Sequence, residues 1–261
     1  MSFLQAARGT AVRLVGGQRL SRHDGTGALT GMVLLLPKGW EGLYVLNSYE
    51  PCVTAALTRI VRRGDICLDA GAHYGYFTLL LARLCGPEGT VISFEAQPDN
   101  ARVVRANVRA NGLAANVVFE QAAVSASDGT IELHASSSGG STEWTIDEGF
   151  AHRAPTPSPV RAVMRVPSIA LGSYLASANR LDVIKMDIEG AEAEVVPALT
   201  ALLARLRPTV MLEFHRPVGW PAIEALIDSG YEFEDLNGDA LPTPRGSDDV
   251  PYQLLARAQR A

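Results

Sequence analysis

A short run containing two glycines has the residue types and spacing that a nucleotide site needs. Asp69-Ala-Gly71-Ala-His-Tyr-Gly75 follows an apolar segment and precedes the apolar run Phe77–Ala82, which predicts a strand, a turn and a helix. Glycines four residues apart let the backbone approach a ligand closely, and an acid at a strand end can pair with an amino or cationic group. The run therefore predicts a nucleotide-type cofactor at the turn.

The spacing of the glycines narrows the choice of cofactor. A dinucleotide fingerprint has the pattern G-x-G-x-x-G directly after the strand, so that a pyrophosphate rests on the helix N-terminus. Here His73 stands where the middle glycine is needed, and its side chain would crowd a pyrophosphate. S-adenosylmethionine is the most consistent ligand, and a dinucleotide-dependent oxidoreductase is the alternative.

A second acid supports this cofactor. Thr90–Glu95 predicts a strand that ends in a carboxylate about 20 residues after the turn, where Rossmann-type folds present an acid to ribose hydroxyls. Pro98-Asp-Asn100 then opens a helix, as helix-start chemistry prefers. The residues expected to bind the cofactor are Asp69, Gly71, Ala72, His73, Gly75, Thr78, Glu95 and Asn100.

Two later strands carry polar residues near their carboxyl ends. A strand covered by helices on both faces should be almost uniformly apolar, yet Lys185 and Asp187 share one face of a strand, and so do Glu213 and His215. Ligands of doubly wound sheets bind at these strand ends, so we expect the four side chains to converge beside the cofactor as catalytic residues. A buried ion-pair network with a helix cap is the alternative.

His215 has the intrinsic pKa best suited to accept a proton, with Glu213 or Asp187 orienting it. The same residues with Glu189 offer oxygen and nitrogen ligands for Mg²⁺. A metal is allowed but not favoured, because carboxylates near a cationic sulfonium can act electrostatically without one. The metal ligands are therefore left unassigned.

Composition limits the domain count and the partners. With 261 residues, 47% of them hydrophobic, the chain predicts one domain over 49–261 with an N-terminal arm over 1–48. The net charge of -5 argues against nucleic acid as a partner. No apolar run approaches the roughly 20 residues of a membrane helix, so we expect no membrane partner and a cytoplasmic location. A homo-oligomer is left open.

Strands alternating with helices predict a doubly wound, Rossmann-like parallel sheet. Asp128-Gly129 predicts a hairpin that adds an antiparallel piece to the sheet edge, 231–236 and 252–256 predict a closing antiparallel pair, and 135–160 predicts a Ser-, Gly- and Pro-rich loop. The predicted strands are 66–69, 91–95, 117–122, 182–187 and 209–214, and the predicted helices are 51–61, 76–84, 99–111, 192–206 and 221–229.

Four segments of the chain follow one another in a recognisable order: Asp69–Thr78, Phe94–Asn100, Ile184–Glu192 and Leu212–His215. Together they resemble the FkbM family of S-adenosylmethionine-dependent methyltransferases. The resemblance covers roughly residues 49–236 and implies a class I methyltransferase fold that methylates a hydroxyl of a sugar, glycoside or secondary metabolite; N-methylation of a small molecule is the alternative. His73 stands where the family often has Asn, and Pro197 where it usually has Gly.

Overall fold

The computed structural model describes residues 10–15, 18–45, 49–138, 141–145, 162–215 and 219–259. By compactness the chain divides into two units, Met1–Glu120 and Gln121–Ala261. The N-terminal strands share a unit with the glycine turn. The division into an arm over 1–48 and a domain over 49–261 stays a prediction.

The N-terminal part of the first unit is a three-stranded antiparallel sheet followed by a short helix. Leu20, Leu34 and Leu36 are at most 1% exposed, so this segment contributes to the core of its unit. The elements are β1 (Thr10–Val15), β2 (Gln18–Asp24), β3 (Val33–Pro37) and α1 (Glu41–Val45).

The rest of the first unit alternates helices with parallel strands. The strands predicted from the apolar runs are present, and they pair side by side in the order β4, β5, β6. The elements are α2 (Pro51–Ile60), β4 (Ile66–Ala70), α3 (Tyr76–Cys85), β5 (Thr90–Phe94), α4 (Pro98–Ala110) and β6 (Val117–Glu120).

Two asparagines of the α4 region bind the backbone of β3. The Asn107 side chain accepts from the Leu35 N–H at 2.6 Å and donates to the Leu35 carbonyl at 3.1 Å. Asn111 repeats the pattern with Val33, at 2.7 and 2.8 Å. The amides satisfy strand groups that would otherwise need another strand, and they fix β3 against the helix.

The second unit begins with a four-stranded sheet of its own, in the order β7, β10, β8, β9. The hairpin predicted at Asp128-Gly129 is wrong in its pairing: β10 lies between β7 and β8, and the Asp128 carboxylate accepts from the Ala170 N–H at 2.9 Å. The elements are β7 (Ala123–Ser125), β8 (Gly129–Ser138), β9 (Ser141–Thr145), β10 (Ala162–Ala170) and α5 (Leu171–Tyr174).

This sheet also corrects the predicted loop over 135–160. The end of β8 and all of β9 lie within that range and pair as an antiparallel hairpin, because strand pairing satisfies a polar backbone whatever the loop-like composition of its side chains. Residues 146–161 lie outside the described part of the chain, so the loop prediction is not tested there.

The remaining strands of the second unit pair in the order β11, β12, β15, β13, β14. β11 and β12 are parallel, and β15 runs antiparallel between β12 and β13, which confirms the predicted closing pair. The elements are β11 (Val183–Met186), α6 (Glu192–Ala198), α7 (Thr200–Leu206), β12 (Thr209–Glu213), α8 (Trp220–Asp228), β13 (Tyr231–Glu234), β14 (Ala240–Leu241) and β15 (Gln253–Ala258).

The helix predicted over 192–206 is divided in two. Pro197 lies inside α6, and Leu199 separates that helix from α7 with a φ of -96° and a ψ of 0°. Proline has no N–H to donate back along the helix and its ring crowds the preceding turn, so it interrupts the helical hydrogen bonding in this region.

Alternating helices and mainly parallel strands define a mixed α/β, Rossmann-like fold, as predicted. Within the described ranges, no helix has the length and apolarity that crossing a membrane requires.

Candidate active site

The turn between β4 and α3 has three residues in the left-handed backbone region. Gly71, His73 and Gly75 have φ values of 85°, 52° and 87°. A Cβ at Gly75 would lie 3.4 Å from Val104 Cγ1, so a side chain there would meet both strain and contact. His73 adopts a conformation that non-glycine residues rarely take, and its surroundings must therefore stabilise it.

Glu95 is the acceptor around which this turn is organised. Its Oε2 accepts from the His73 N–H at 2.8 Å, and its Oε1 accepts from the Gln97 N–H at 2.9 Å. The Asn100 amide nitrogen lies 3.5 Å from the same Oε1. Burial raises the pKa of Glu95 to about 7, against the opposing effect of these hydrogen bonds. We call Gly71, His73, Gly75, Glu95 and Asn100 the turn cluster.

Asp69 and Thr78 form an internal network within the same unit. Both are 0% exposed, the Thr78 hydroxyl donates to Asp69 Oδ2 at 2.6 Å, and it lies 2.9 Å from Ser93 Oγ. The network ties β4, α3 and β5 together. It shapes the strand end, and direct contact of these two residues with a cofactor stays a prediction.

Gly71 and Ala72 use their amides within the protein. Both N–H groups donate to the Phe94 carbonyl, at 3.1 and 2.9 Å. Their predicted part in cofactor binding therefore rests on backbone shape and absent side-chain bulk at Gly71, rather than on donation by these amides.

Aromatic side chains from the N-terminal segment contact the turn cluster. The Tyr44 hydroxyl lies 2.6 Å from His73 Nδ1, and Tyr44 is 1% exposed. The His73 ring stacks on Tyr74 at 3.9 Å between centroids and meets Trp40 edge-on at 5.0 Å. These contacts fix the imidazole of a residue whose backbone is strained.

A second cluster lies in the second unit, at the ends of β11 and β12. Lys185 is 2% exposed and its Nζ lies 3.4 Å from Asp187 Oδ2. The two polar residues that the sequence places on one face of this strand therefore contact each other. Asp187 Oδ1 is buried without a hydrogen-bond partner among the described residues.

His215 stands among carboxylates. Its Nδ1 lies 3.4 Å from Glu192 Oε1, and its Nε2 lies 3.6 Å from both Glu189 Oε2 and Glu213 Oε1. Burial alone would lower the pKa of His215, but the Glu192 contact and the charges of Glu189 and Asp187 outweigh it and raise that pKa to about 9. We call these five residues the acid–histidine cluster: Asp187, Glu189, Glu192, Glu213 and His215.

Glu192 is positioned by the loop that precedes its own helix. It is 1% exposed, and its two oxygens accept from the Ile188 N–H at 2.8 Å and the Gly190 N–H at 2.9 Å. Both bonds pin the loop carrying Glu189, whose φ is 54°. A carboxylate at a helix start is favourable electrostatically, so one residue caps the loop and contacts His215.

Glu213 receives two neutral donors from the segment leading into β15. The Tyr252 hydroxyl donates to its Oε1 and Gln253 Nε2 donates to its Oε2 at 3.0 Å. Asp187, Glu213 and His215 also each offer one potential ligand atom within 4.8 Å of the others, the geometry of a candidate cation site.

The structure thus brings the predicted residues together in two groups. The turn cluster collects around Glu95, with Asp69 and Thr78 behind it, and the acid–histidine cluster collects around His215, with Lys185 beside Asp187. Reasoning from sequence missed Glu192 as a contact of His215, because it was noted only as part of a motif. It also missed Tyr44, Trp40, Tyr252 and Gln253, which no local spacing singles out.

The chain belongs to the FkbM methyltransferase domain family, whose model matches residues 69–235, more than half of the chain. The match includes every residue of both clusters. As a member of this S-adenosylmethionine-dependent family, the protein is a methyltransferase.

The chain is also similar to individual proteins. The methyltransferase sdnD of Sordaria araneosa is 28% identical over 193 residues, 63% of this chain and 73% of that protein. The tRNA (adenine(58)-N(1))-methyltransferase TrmI of Thermus thermophilus is 33% identical over 119 residues, and the match spans less than half of either protein. A solved FkbM methyltransferase from Methylobacillus flagellatus has a TM-score of 0.48 and 13% identity, over 76% of this chain and 48% of that one.

Proposed function

We propose that the protein transfers a methyl group from S-adenosylmethionine to a hydroxyl of a small molecule such as a sugar, a glycoside or a secondary metabolite. The observation that carries this proposal is a buried imidazole, 6% exposed and surrounded by carboxylates, in a methyltransferase. An alcohol must lose its proton to become a good methyl acceptor, and a positioned base serves that need.

The turn cluster fits S-adenosylmethionine. Glu95 Oε2 accepts one main-chain N–H in the described structure, and a carboxylate oxygen has room for a second donor, so Glu95 can take a ribose hydroxyl. Gly71 and Gly75 provide the close backbone approach, and His73 and Asn100 flank the acid. Once bound, the cofactor supplies an electrophilic methyl group on a sulfonium.

His215 is assigned the role of proton acceptor. Its pKa of about 9 makes it an imidazolium at neutral pH, so its basic form accumulates only as the pH rises. Asp187 and Glu213 position the ring and stabilise the imidazolium that forms, and Lys185 fixes Asp187. This assignment requires turnover to increase towards alkaline pH.

A catalytic Mg²⁺ is not part of the proposal. Lys185 Nζ already contacts Asp187 Oδ2, and two neutral donors contact the two oxygens of Glu213, so three of these four carboxylate oxygens have other partners. Mg²⁺ prefers a nearly complete set of oxygen ligands, and an imidazole nitrogen suits it poorly. Turnover that survives EDTA supports base catalysis, whereas loss of turnover on chelation and recovery with Mg²⁺ contradicts it.

A small-molecule acceptor is preferred to a nucleic acid. The relative TrmI acts on tRNA according to its name, but this chain has a net charge of -5 and lacks the overall basic field that collects phosphate backbones. Membership of a methyltransferase family also removes the support for a dinucleotide-dependent oxidoreductase.

The test is a panel of matched acceptors. Each compound is offered as the free alcohol, as its methyl ether and as the amine analogue, with S-adenosylhomocysteine release as the readout. We expect release with the alcohol alone, rising with pH up to about 9. Release of S-adenosylhomocysteine with only the amine analogues would contradict O-methylation and support N-methylation.

A further inference from the structure

Tyr252 is fixed beside the acid–histidine cluster by its backbone. Its carbonyl accepts from the Phe214 N–H at 2.6 Å, between Glu213 and His215, and Gln253 pairs with Glu213 in the antiparallel register of β15 and β12. The residue follows the segment that the family model matches, residues 69–235.

The Tyr252 side chain joins the two central residues of the cluster. Its hydroxyl donates to Glu213 Oε1, the same oxygen that lies 3.6 Å from His215 Nε2. Its ring meets the His215 ring edge-on, with 5.8 Å between centroids. The residue is nevertheless 56% exposed, so hydrophobic burial does not account for its placement.

We propose that Tyr252 is a positioning residue, whose phenol holds Glu213 Oε1 and thereby limits how strongly that carboxylate binds His215. This inference rests on the proposed function only for its effect on turnover, since the contact itself belongs to the described structure. A neutral donor spreads the charge of a carboxylate, so a second partner of the same oxygen feels less of it. Without the phenol, more of the negative charge of Glu213 Oε1 is available to attract the His215 imidazolium.

The Tyr252 phenol should therefore affect how tightly His215 holds its proton. The groups facing the ring come from several elements, and removal of the phenol acts directly on the contact with Glu213. A stronger Glu213 contact stabilises the imidazolium and raises the pKa of His215 further. The facing groups are Asp187, Glu189 and Glu192 from β11, its loop and α6, Glu213 from β12 and Tyr252 before β15.

The experiment is an NMR titration of histidine-labelled protein, with the His215 resonance assigned by its absence in His215→Gln. Tyr252→Phe removes the phenol and keeps the ring. We expect the proton affinity of His215 to rise about 3- to 10-fold, the scale of one hydrogen bond. Tyr252→Leu should give the same change, because it also lacks the phenol.

Tyr231→Phe is the matched control. Tyr231 lies on β13 opposite Ala258, five residues along β15 from Gln253, and its phenol also has a pKa raised by burial, to about 12. We expect its removal to leave the His215 titration unchanged. If Tyr252→Phe and Tyr252→Leu also leave it unchanged, the positioning role is overturned, even if both variants melt at a lower temperature.

Turnover provides the second readout. In Tyr252→Phe we expect the pH–rate profile to move towards alkaline pH by the same amount as the titration, with the KM for S-adenosylmethionine unchanged. A shifted titration with an unshifted rate profile overturns the catalytic consequence. Absence of methyl transfer by the wild type would instead count against the proposed function, while the titration still tests the contact.

Discussion

The turn cluster and the acid–histidine cluster both bury an ionisable side chain, but they do so with different partners. Glu95 is held by two main-chain N–H groups and an amide, and burial is the main cause of its raised pKa. His215 is held by carboxylates, and their charges overcome burial to raise its pKa. One site is therefore built from backbone dipoles and the other from side-chain charges.

This difference suggests that the turn cluster binds a ligand and that the acid–histidine cluster exchanges a proton. Backbone donors fix an acceptor in place without supplying a counter-charge, which suits a residue that must bind a ligand. Carboxylates around an imidazole supply charge that changes with pH, which suits a residue that exchanges a proton. Variants can test whether binding and chemistry separate along this line.

The largest expected effect is on the rate when His215 is changed to Gln. We expect turnover to fall by roughly 10²- to 10⁴-fold, the usual scale for losing general-base help, with cofactor affinity nearly unchanged. Single-turnover assays and calorimetry with S-adenosylhomocysteine measure the two quantities. His134→Gln, on β8, is the control. A rate like that of the wild type would reduce His215 to a packing role.

The free energy of unfolding should depend on pH in a different range for each cluster. Because the pKa of folded His215 is raised from 6.5 to about 9, its stabilisation is complete below pH 6.5 and is lost as the pH rises through 9. The raised pKa of Glu95, from 4.5 to about 7, means that ionising this buried acid lowers stability between pH 4.5 and 7. Each change is up to about 3 kcal/mol.

Denaturant unfolding of His215→Gln and Glu95→Gln across these pH values measures the two contributions. We expect His215→Gln to remove the pH dependence of the unfolding free energy between pH 6.5 and 9 only. We expect Glu95→Gln to remove it between pH 4.5 and 7 only. A variant that alters neither window, or both equally, would contradict the separate origins of the two pKa shifts.

Cofactor affinity should depend on Glu95. We expect Glu95→Ala to weaken binding by about 1 to 3 kcal/mol, because a ribose hydroxyl loses its acceptor and the His73 N–H loses its partner. Calorimetry with S-adenosylhomocysteine gives the affinity, with Glu88→Gln as control, because Glu88 is an exposed acid of the same unit that pairs with Arg63. Unchanged affinity would refute the assignment of Glu95.

The smallest expected effect follows removal of the Tyr44 hydroxyl. Tyr44→Phe breaks the contact with His73 Nδ1 but keeps the packing, so we expect affinity to fall only a few-fold, about 1 kcal/mol. Turnover at saturating cofactor should stay the same. A rate loss as large as that of His215→Gln would mean that the turn cluster also takes part in chemistry.

Local pattern was enough to indicate which residues meet in the turn cluster, while their binding of a cofactor stays a prediction. A glycine turn between an apolar strand and an apolar helix, and an acid at the next strand end, are features of consecutive residues, and the structure joins them through Glu95. The helix break after Pro197 was also available in the sequence, since proline cannot donate within a helix. The prediction missed it because apolar periodicity continued past that residue.

Only the tertiary structure determined which partners surround His215. The sequence indicated that Lys185, Asp187, Glu213 and His215 were polar residues where apolar ones were expected. Glu192 and Tyr252 contact the same imidazole from the first residue of a helix and from the segment before the last strand. Likewise, β10 inserts between β7 and β8 although the turn chemistry at Asp128-Gly129 favoured a hairpin. Residue spacing specifies which face of one element a side chain occupies, whereas contacts between elements distant in sequence depend on how the whole chain packs and satisfies its buried polar groups.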